Sequence, residues 1–218
     1  MALEVKNLRE AIKEMRAKSK KANFNQSVEL IINLRDIDMK KPEGRIQEVI
    51  ELPHPIGKDV GICVIATGDL ALRARRSGAD IVLEREDIEK LAGDKKRQRE
   101  IAKKADFFIA EAPLMPLVGR VFGSILGPRG KMPTPVPPTV DIEDVIERHR
   151  RMIMVRAKGQ PGLQCRVGTE NITDEELVEN IQTVVRRIEG RLKRGMRNID
   201  SIYLKLTMGP PIRVSMQK

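Results

Sequence analysis

The stretch Ser201-Ile-Tyr-Leu-Lys-Leu-Thr-Met208 concentrates polar chemistry more than any other segment of the chain. Its alternation places Ile202, Leu204, Leu206 and Met208 on one face of a strand, and Ser201, Tyr203, Lys205 and Thr207 on the other. A row of hydroxyl donors with one cation suits phosphate oxygens and ribose 2′-hydroxyls. Gly209, without a side chain, would let a ligand approach the backbone closely. The competing reading is an ordinary sheet face wetted by solvent, which alternation alone also produces.

Catalytic patterns are weak by comparison. His54 and His149 are the only histidines, and neither has a nearby acid and nucleophile in a recognisable arrangement. His149 lies in Glu147-Arg-His-Arg-Arg151, which reads as a solvated helix face. The run Leu126-Gly-Pro-Arg-Gly-Lys-Met-Pro133 resembles a phosphate loop only superficially. Ile125 stands where the first Gly is needed and Met132 where Ser or Thr is needed, so a rigid turn is the better reading. No Gly-rich fingerprint follows the buried strand near Val60. Cys63 and Cys165 lack partners at metal-ligand spacing and read as buried thiols in a reducing compartment. No enzyme, metal or cofactor is expected.

The balance of 41 Lys and Arg against 31 Asp and Glu gives a formal charge of +10, a field that suits nucleic acid or an anionic membrane surface. No Trp, one Tyr and four Phe count against a platform built on base stacking, so bound RNA is expected to be read by shape and backbone. The best apolar run, Val60 to Ala66, is too short to span a bilayer, and the charged start MALEVKNLREAIKEM is no signal peptide. A cytoplasmic location is expected.

The elements that must position these residues follow from periodicity. Val5, Leu8, Ile12 and Met15 predict a helix over 4–19, and Ser27 to Leu34 a strand with Val28, Leu30, Ile32 and Leu34 inward. A turn at Pro42 and Gly44 leads to a strand from Arg45 to Leu52, and Pro53 to Gly57 breaks the pattern. From Val60 short apolar strands alternate with helices: Asp69–Ser77, Ile81–Leu83, Glu86–Ala92, Lys95–Lys104, Phe107–Ala110 and a helix from Leu114. That rhythm predicts a parallel, doubly wound sheet. A proline-rich loop, Leu126 to Pro138, then precedes a helix at Ile142 to Arg151. Strands at Ile153–Arg156 and Leu163–Val167 follow, joined by a turn at Gly159-Gln-Pro-Gly162. Thr173-Asp-Glu-Glu176 forms a capping box for a helix carrying Leu177, Ile181, Val184, Ile188 and Leu192.

The fold class is α/β: a mixed α+β first domain built from both termini, with an inserted Rossmann-like α/β second domain. The expected boundaries are 1–55 plus 156–218 for the first and 56–155 for the insert. The outer segments hold 23 Lys and Arg against 16 Asp and Glu, the insert 18 against 15, so the excess charge lies in the outer domain.

Four segments carry a family resemblance: NFNQSVELIINL (23–34), ELPHPIGKDV (51–60), ILGPRGKMPTP (125–135) and SIYLKLTMGP (201–210). The chain resembles the ribosomal L-one family of the large-subunit stalk, nearest its archaeal branch. The resemblance implies a first domain that binds folded large-subunit ribosomal RNA, with translational repression through a similar site on the protein's own messenger RNA. It also implies a stalk that moves with the tRNA at the exit site, and a monomer outside the ribosome. Carried over by position, it makes Phe24, Ser27 and Glu29 on the first strand RNA-facing, with Ser201, Thr207, Met208 and Gly209 on the last, and Gln164 and Arg166 between. Asn23 stands where many members carry Lys, and Gln164 where many carry His; Lys20 and Lys21 are near enough to supply charge. The insert is expected to give reach and a hinge near Pro55 and Arg156. The reading from another class is an enzyme that holds a nucleotide on that insert.

Overall fold

Apolar residues recurring at intervals of three and four, then at intervals of two, become helices and strands in the computed structural model, which describes residues 3–41, 44, 46–57, 59–157 and 159–216. The chain opens with α1 (Val5–Lys18), β1 (Ser27–Leu34) and β2 (Gln47–Glu51). It continues through β3 (Ile62–Ile65), α2 (Gly68–Arg76), β4 (Ile81–Leu83), α3 (Arg85–Lys90), α4 (Lys95–Lys104) and β5 (Phe107–Glu111). Next come α5 (Met115–Arg129), β6 (Thr134–Val136) and α6 (Ile142–Arg150). The last third holds β7 (Met152–Arg156), β8 (Gly162–Thr169), α7 (Asp174–Arg191), β9 (Ile199–Leu206) and β10 (Ile212–Arg213). Pro42 and Arg45, assigned above to a turn and a strand start, lie outside the described residues.

The chain divides into an outer unit, Met1–Lys58 with Arg151–Lys218, and an inner unit, Asp59–Arg150. Residues 151–155, expected in the insert, group with the outer unit because β7 pairs antiparallel with β2, Gln47 opposite Arg156 through Glu51 opposite Met152.

In the outer unit a four-stranded sheet runs in the order β10-β9-β1-β8. Strand β1 is hydrogen-bonded antiparallel on both edges, to β8 and to β9. Its burial alternates residue by residue, with Val28, Leu30, Ile32 and Leu34 inward. Helices α1 and α7 pack with these strands. They bury Leu8, Ala11, Ile12 and Met15 from α1, and Leu177, Val178, Ile181, Val184, Val185 and Ile188 from α7. Each large apolar side chain so buried contributes about 1.5–3 kcal/mol. Val5, expected on the same stripe, is 40% exposed because it sits on the first turn of α1.

The capping box of α7 forms. Thr173 Oγ1 accepts the Glu176 N–H at 3.3 Å, and Glu176 Oε2 accepts the Thr173 N–H at 3.1 Å. The hydroxyl and amide of Thr173, and more weakly His54, hold the Glu176 carboxyl below its ordinary pKa range. Asn180, fully buried in α7, ties three segments together. Its amide donates to the carbonyls of Val167 (2.9 Å) and His54 (3.3 Å), and its carbonyl accepts the His54 N–H at 3.0 Å. The His54 ring is engaged as well, 2.7 Å from Glu179 Oε2.

In the inner unit four parallel strands run in the order β4-β3-β5-β6. Strands β3 and β5 are buried at every position. Ile88, Ala102, Phe122 and Leu126 from α3, α4 and α5 form one core with Cys63, Ile65 and Phe108. Leu70, Ala74, Ile142 and Ile146 from α2 and α6 form the other with Ile62, Val64 and Ile109. This is the doubly wound arrangement that the strand-helix rhythm predicts.

Two expectations about this unit are corrected. Leu126 to Pro138 is only in part a loop: α5 runs on to Arg129, and Thr134–Val136 is an edge strand beside β5, which leaves 130–133 and 137–138 as connections. Pro128 falls in the last turn of α5, where its missing N–H forfeits a single helical bond. Gly130, at φ 71°, then closes the helix, with the Gly130 and Lys131 amides bonded to the Gly127 and Leu126 carbonyls at 2.9 and 3.0 Å. His149 is buried rather than solvated: it meets Phe107 edge-on, ring centroids 5.9 Å apart, and its Nδ1 lies 2.7 Å from the Val145 carbonyl.

Asn180→Ala leaves three backbone groups, the buried Val167 carbonyl and the half-buried N–H and carbonyl of His54, without their partner and is expected to cost about 2–3 kcal/mol, read as a lower urea midpoint at unchanged slope. Burial pushes the thiols of Cys63 and Cys165 up to about 12. Both therefore stay protonated at pH 8, and a thiolate-seeking disulfide reagent should label neither in the native protein and both once denaturant unfolds it.

Candidate nucleic-acid interface

Because side chains alternate along a strand, burying one row of β1 turns the other row, Ser27, Glu29, Ile31 and Asn33, to the opposite face. The ladder sets their neighbours. Glu29 lies between Arg166 of β8 and Lys205 of β9, and Ile31 between Gln164 and Tyr203. Between Val28 and Glu29 the register shifts from Gly168 to Arg166, which leaves Val167 of β8 as the extra, unpaired residue of a bulge beside the polar end of β1.

An open groove of about 450 Å³ lies there, lined by Phe24, Asn25, Ser27, Glu29, Gln164, Cys165, Arg166 and Thr207. It gathers Phe24, Ser27, Glu29, Gln164, Arg166 and Thr207, residues drawn from three distant parts of the sequence. The Glu29 carboxylate accepts a hydrogen bond from Gln164 Nε2 at 2.9 Å and has Lys205 Nζ at 4.0 Å, so its charge is partly neutralised and its direction held. Arg166, opposite Glu29 in the ladder, makes no ion pair among the described residues. Tyr203 and Lys205 are half-buried on the same row of β9.

Thr207 is pinned differently from the free donor expected. Its Oγ1 accepts the Ser27 N–H at 3.1 Å, and its own N–H donates to the Ser27 carbonyl at 3.1 Å. It therefore sets the position of Ser27, whose hydroxyl has no partner among the described residues. Met208 does not join the inward row of β9. The strand ends at Leu206, and Met208, on the following turn, is 70% exposed. Phe24 is 51% exposed, so two large apolar side chains stand in solvent on the segments that carry Ser27 and Thr207.

One expected residue does not present itself to a ligand: Ser201 is buried at the opposite end of β9, where its hydroxyl accepts from Asn33 Nδ2 at 3.0 Å. Gly209 is half-buried, and a Cβ there would collide with Ser19 Oγ just past α1, so the close packing of that turn already calls for glycine.

Sequence reasoning missed Gln26, only 1% exposed. Its Oε1 accepts the Met208 N–H at 3.0 Å, and its Nε2 donates to the Lys20 carbonyl at 3.1 Å. Its backbone N–H reaches Glu170 Oε1 at 3.2 Å. One amide thus fixes the turn that carries Met208 to the segment that carries Phe24. Its place two residues after Phe24 in NFNQ was the only available signal, since burial of a polar residue outside a strand leaves no periodic trace.

In the inner unit, the place where a doubly wound sheet would hold a nucleotide carries an acid. In doubly wound sheets ligands sit beyond the carboxyl ends of the strands where their order reverses, here between β3 and β5. The Glu111 carboxylate, itself buried, occupies that place and accepts the Thr67 N–H and hydroxyl at 3.0 and 2.9 Å. A negative charge stands where a phosphate would be held. Lys131 of the loop-like motif is committed to the end of α4, donating to the Ala105 and Ala102 carbonyls at 2.7 and 3.3 Å. Among the described residues no group of three or more His, Cys, Asp or Glu could hold a metal, and no helix is long and apolar enough to cross a membrane.

The fold and the groove define a two-unit α/β protein whose outer unit joins the N- and C-terminal segments and displays a mixed polar and apolar surface. The chain belongs to the ribosomal protein L1p/L10e family, whose profile matches residues 13–210. It is 50% identical over 211 residues to a large ribosomal subunit protein uL1 of Thermofilum pendens, covering 96% of this chain and 93% of that one. The uL1 protein of Hyperthermus butylicus is 49% identical, covering 95% of each. That of Pyrococcus horikoshii is 48% identical over 98% of each. These are ribosomal proteins and not enzymes, and the absence of a catalytic arrangement in the sequence agrees with that.

Gln26→Ala should leave the Met208 N–H and the Lys20 carbonyl without their partner, costing about 1–3 kcal/mol. Hydrogen exchange at the Met208 amide is expected to quicken well beyond the change at amides in the middle of β9.

Proposed function

We propose that this chain is a structural component of the large ribosomal subunit, held on folded large-subunit ribosomal RNA by the groove at the Ser27–Thr207 end of its outer sheet. The single observation that carries the reading is the convergence of Phe24, Ser27, Glu29, Gln164, Arg166 and Thr207 on one open groove. Arg166 supplies a charge-assisted donor for phosphate, and Ser27 a hydroxyl for phosphate or 2′-hydroxyl. Glu29, aimed by Gln164, accepts hydrogen bonds from ribose hydroxyls or base amines and repels a misplaced phosphate. Phe24 and Met208 cover sugar and exclude water, which strengthens those bonds. Tyr203 and Lys205 extend the polar row along β9. The related proteins named above are large ribosomal subunit proteins, which supports a place at the ribosome; on our reading that place is the mobile stalk beside the tRNA exit site, in the cytoplasm. The same groove would hold a like-folded site on the protein's own messenger RNA and so repress translation, the free protein acting as a monomer.

Filter binding to a large-subunit ribosomal RNA fragment tests this. Arg166→Ala removes a charged hydrogen bond of about 1.5–3 kcal/mol, a loss of about tenfold to a hundredfold. Met208→Asp and Thr207→Ala should also weaken binding, by far more than Lys40→Gln beyond the other end of β1. Wild-type affinity in all three groove variants, with intact circular dichroism, would refute the assignment.

A further inference from the structure

The inner unit holds 16 Lys and Arg against 15 Asp and Glu, close to neutral. Helix α4, Lys-Lys-Arg-Gln-Arg-Glu-Ile-Ala-Lys-Lys, contributes six of those cations and one acid, a net +5, and leaves the rest of the unit at −4. The charge of this unit is therefore gathered on one helix.

Gln98 and Ala102 are buried and Ile101 is half-buried, so the apolar edge of α4 faces the core. At 100° per residue, Lys96, Arg99 and Lys103 form a stripe on the far side, rising about 4.5 and then 6 Å along the axis. All three are exposed, as are Lys95 and Lys104. Of the six cations only Arg97 has an ion-pair partner among the described residues, Asp94 at 3.6 Å. Elsewhere in the unit Arg73, Arg75, Arg85 and Arg150 each reach an acid.

Helix stability does not account for this arrangement. Lys95, Lys96 and Arg97 occupy the first turn, where the helix dipole disfavours cations, and no acid is present there. Lys95 with Arg99, and Arg99 with Lys103, are like-charge pairs one turn apart, which destabilise a helix. The face carries no aromatic or aliphatic anchor of the kind that dominates protein interfaces, and no apolar edge that could sink into a membrane. A dense face of unpaired cations, with Glu100 as the one acid on the helix, fits a regular polyanion.

We propose that the exposed face of α4 is a second nucleic-acid contact, which holds the phosphate backbone of a duplex without reading its sequence. It is separate from the groove of the outer unit and stands whether or not the groove reading does. Binding there releases counterions and carries a steep salt dependence of its own.

The test is fluorescence anisotropy of the full chain with a short RNA duplex of arbitrary sequence, titrated between about 50 and 200 mM salt. K96Q/R99Q/K103Q should weaken binding by about tenfold or more at the low end, and flatten the log-affinity against log-salt slope by about 2 to 3. R76Q/R85Q/K90Q, which removes equal charge elsewhere on the same unit, should keep the wild-type slope. An α4 variant that behaves as wild type overturns the proposal, as does a control triple that loses as much. A larger loss on phosphatidylserine vesicles than on the duplex overturns it in favour of a membrane surface. The α4 variant should melt no lower than wild type, since it relieves repulsion; a marked fall in Tm would mean that the charges serve the fold.

Discussion

The double-edged pairing of β1 is the constraint on which the outer unit depends. Its N-terminal strand finds partners only in β8 and β9, more than a hundred residues later, so neither end of the chain can complete the sheet alone. The same ladder determines burial. Val28, Leu30 and Ile32 reach the core beneath α1 and α7 only in the register that opposes Leu30 to Leu204 and to Cys165. A slip by one residue would send these side chains to solvent and bring Glu29 inward, at a cost of several buried aliphatic groups and one buried charge. The groove inherits its geometry from that choice. Arg166, Glu29 and Lys205 lie in one row because Leu30 and its neighbours are packed in the other.

The ladder alone leaves its flanking loops undefined, and buried amides settle them. Gln26 joins the approach to β1 with the turn after β9, while Asn180 joins α7 to β8 and to the segment after β2. Each is almost fully buried with its hydrogen bonds made inside the protein, and each holds a loop that an apolar residue of the same size could not orient. Polar burial is affordable at these points because both partners are backbone groups that would otherwise be orphaned. Thr207 works the same way at the groove itself, with its hydroxyl spent on Ser27 and its exposed neighbour Met208 placed by the turn.

Most elements were legible because their signals are periodic. The alternation in β1 and the capping box of α7 appear where periodicity places them, and the apolar run after Val60 is a buried parallel strand. What failed had no period. Pro128 suggested a loop, yet a proline in a last turn costs little, and Gly130 closes the helix two residues later. His149 looked solvated amid Arg148, Arg150 and Arg151, but only its neighbours in space, Phe107 and Thr134, determine its burial. For the site, family resemblance and strand pattern assembled most of the groove. Ser201 was misplaced because alternation reports which way a residue points, not what already occupies the space in front of it. Asn33 occupies it here.

The two polar surfaces discussed above differ in a way that bears on selectivity. The groove mixes signs: Glu29 sits between Arg166 and Lys205, so a phosphate placed at random meets a carboxylate as readily as a guanidinium. Only a ligand whose donors and phosphates arrive in the matching order avoids that repulsion, which is how a charged partner can be discriminated by shape. Helix α4 has no such veto on its Lys96–Arg99–Lys103 stripe, and its attraction should fall on any duplex alike. On the proposed reading the mixed groove therefore supplies discrimination at the expense of raw attraction, and the basic helix supplies attraction that discriminates little. A Glu29→Gln exchange would strengthen the groove's hold on unrelated RNA while relaxing its choice, because the element removed is the repulsive one.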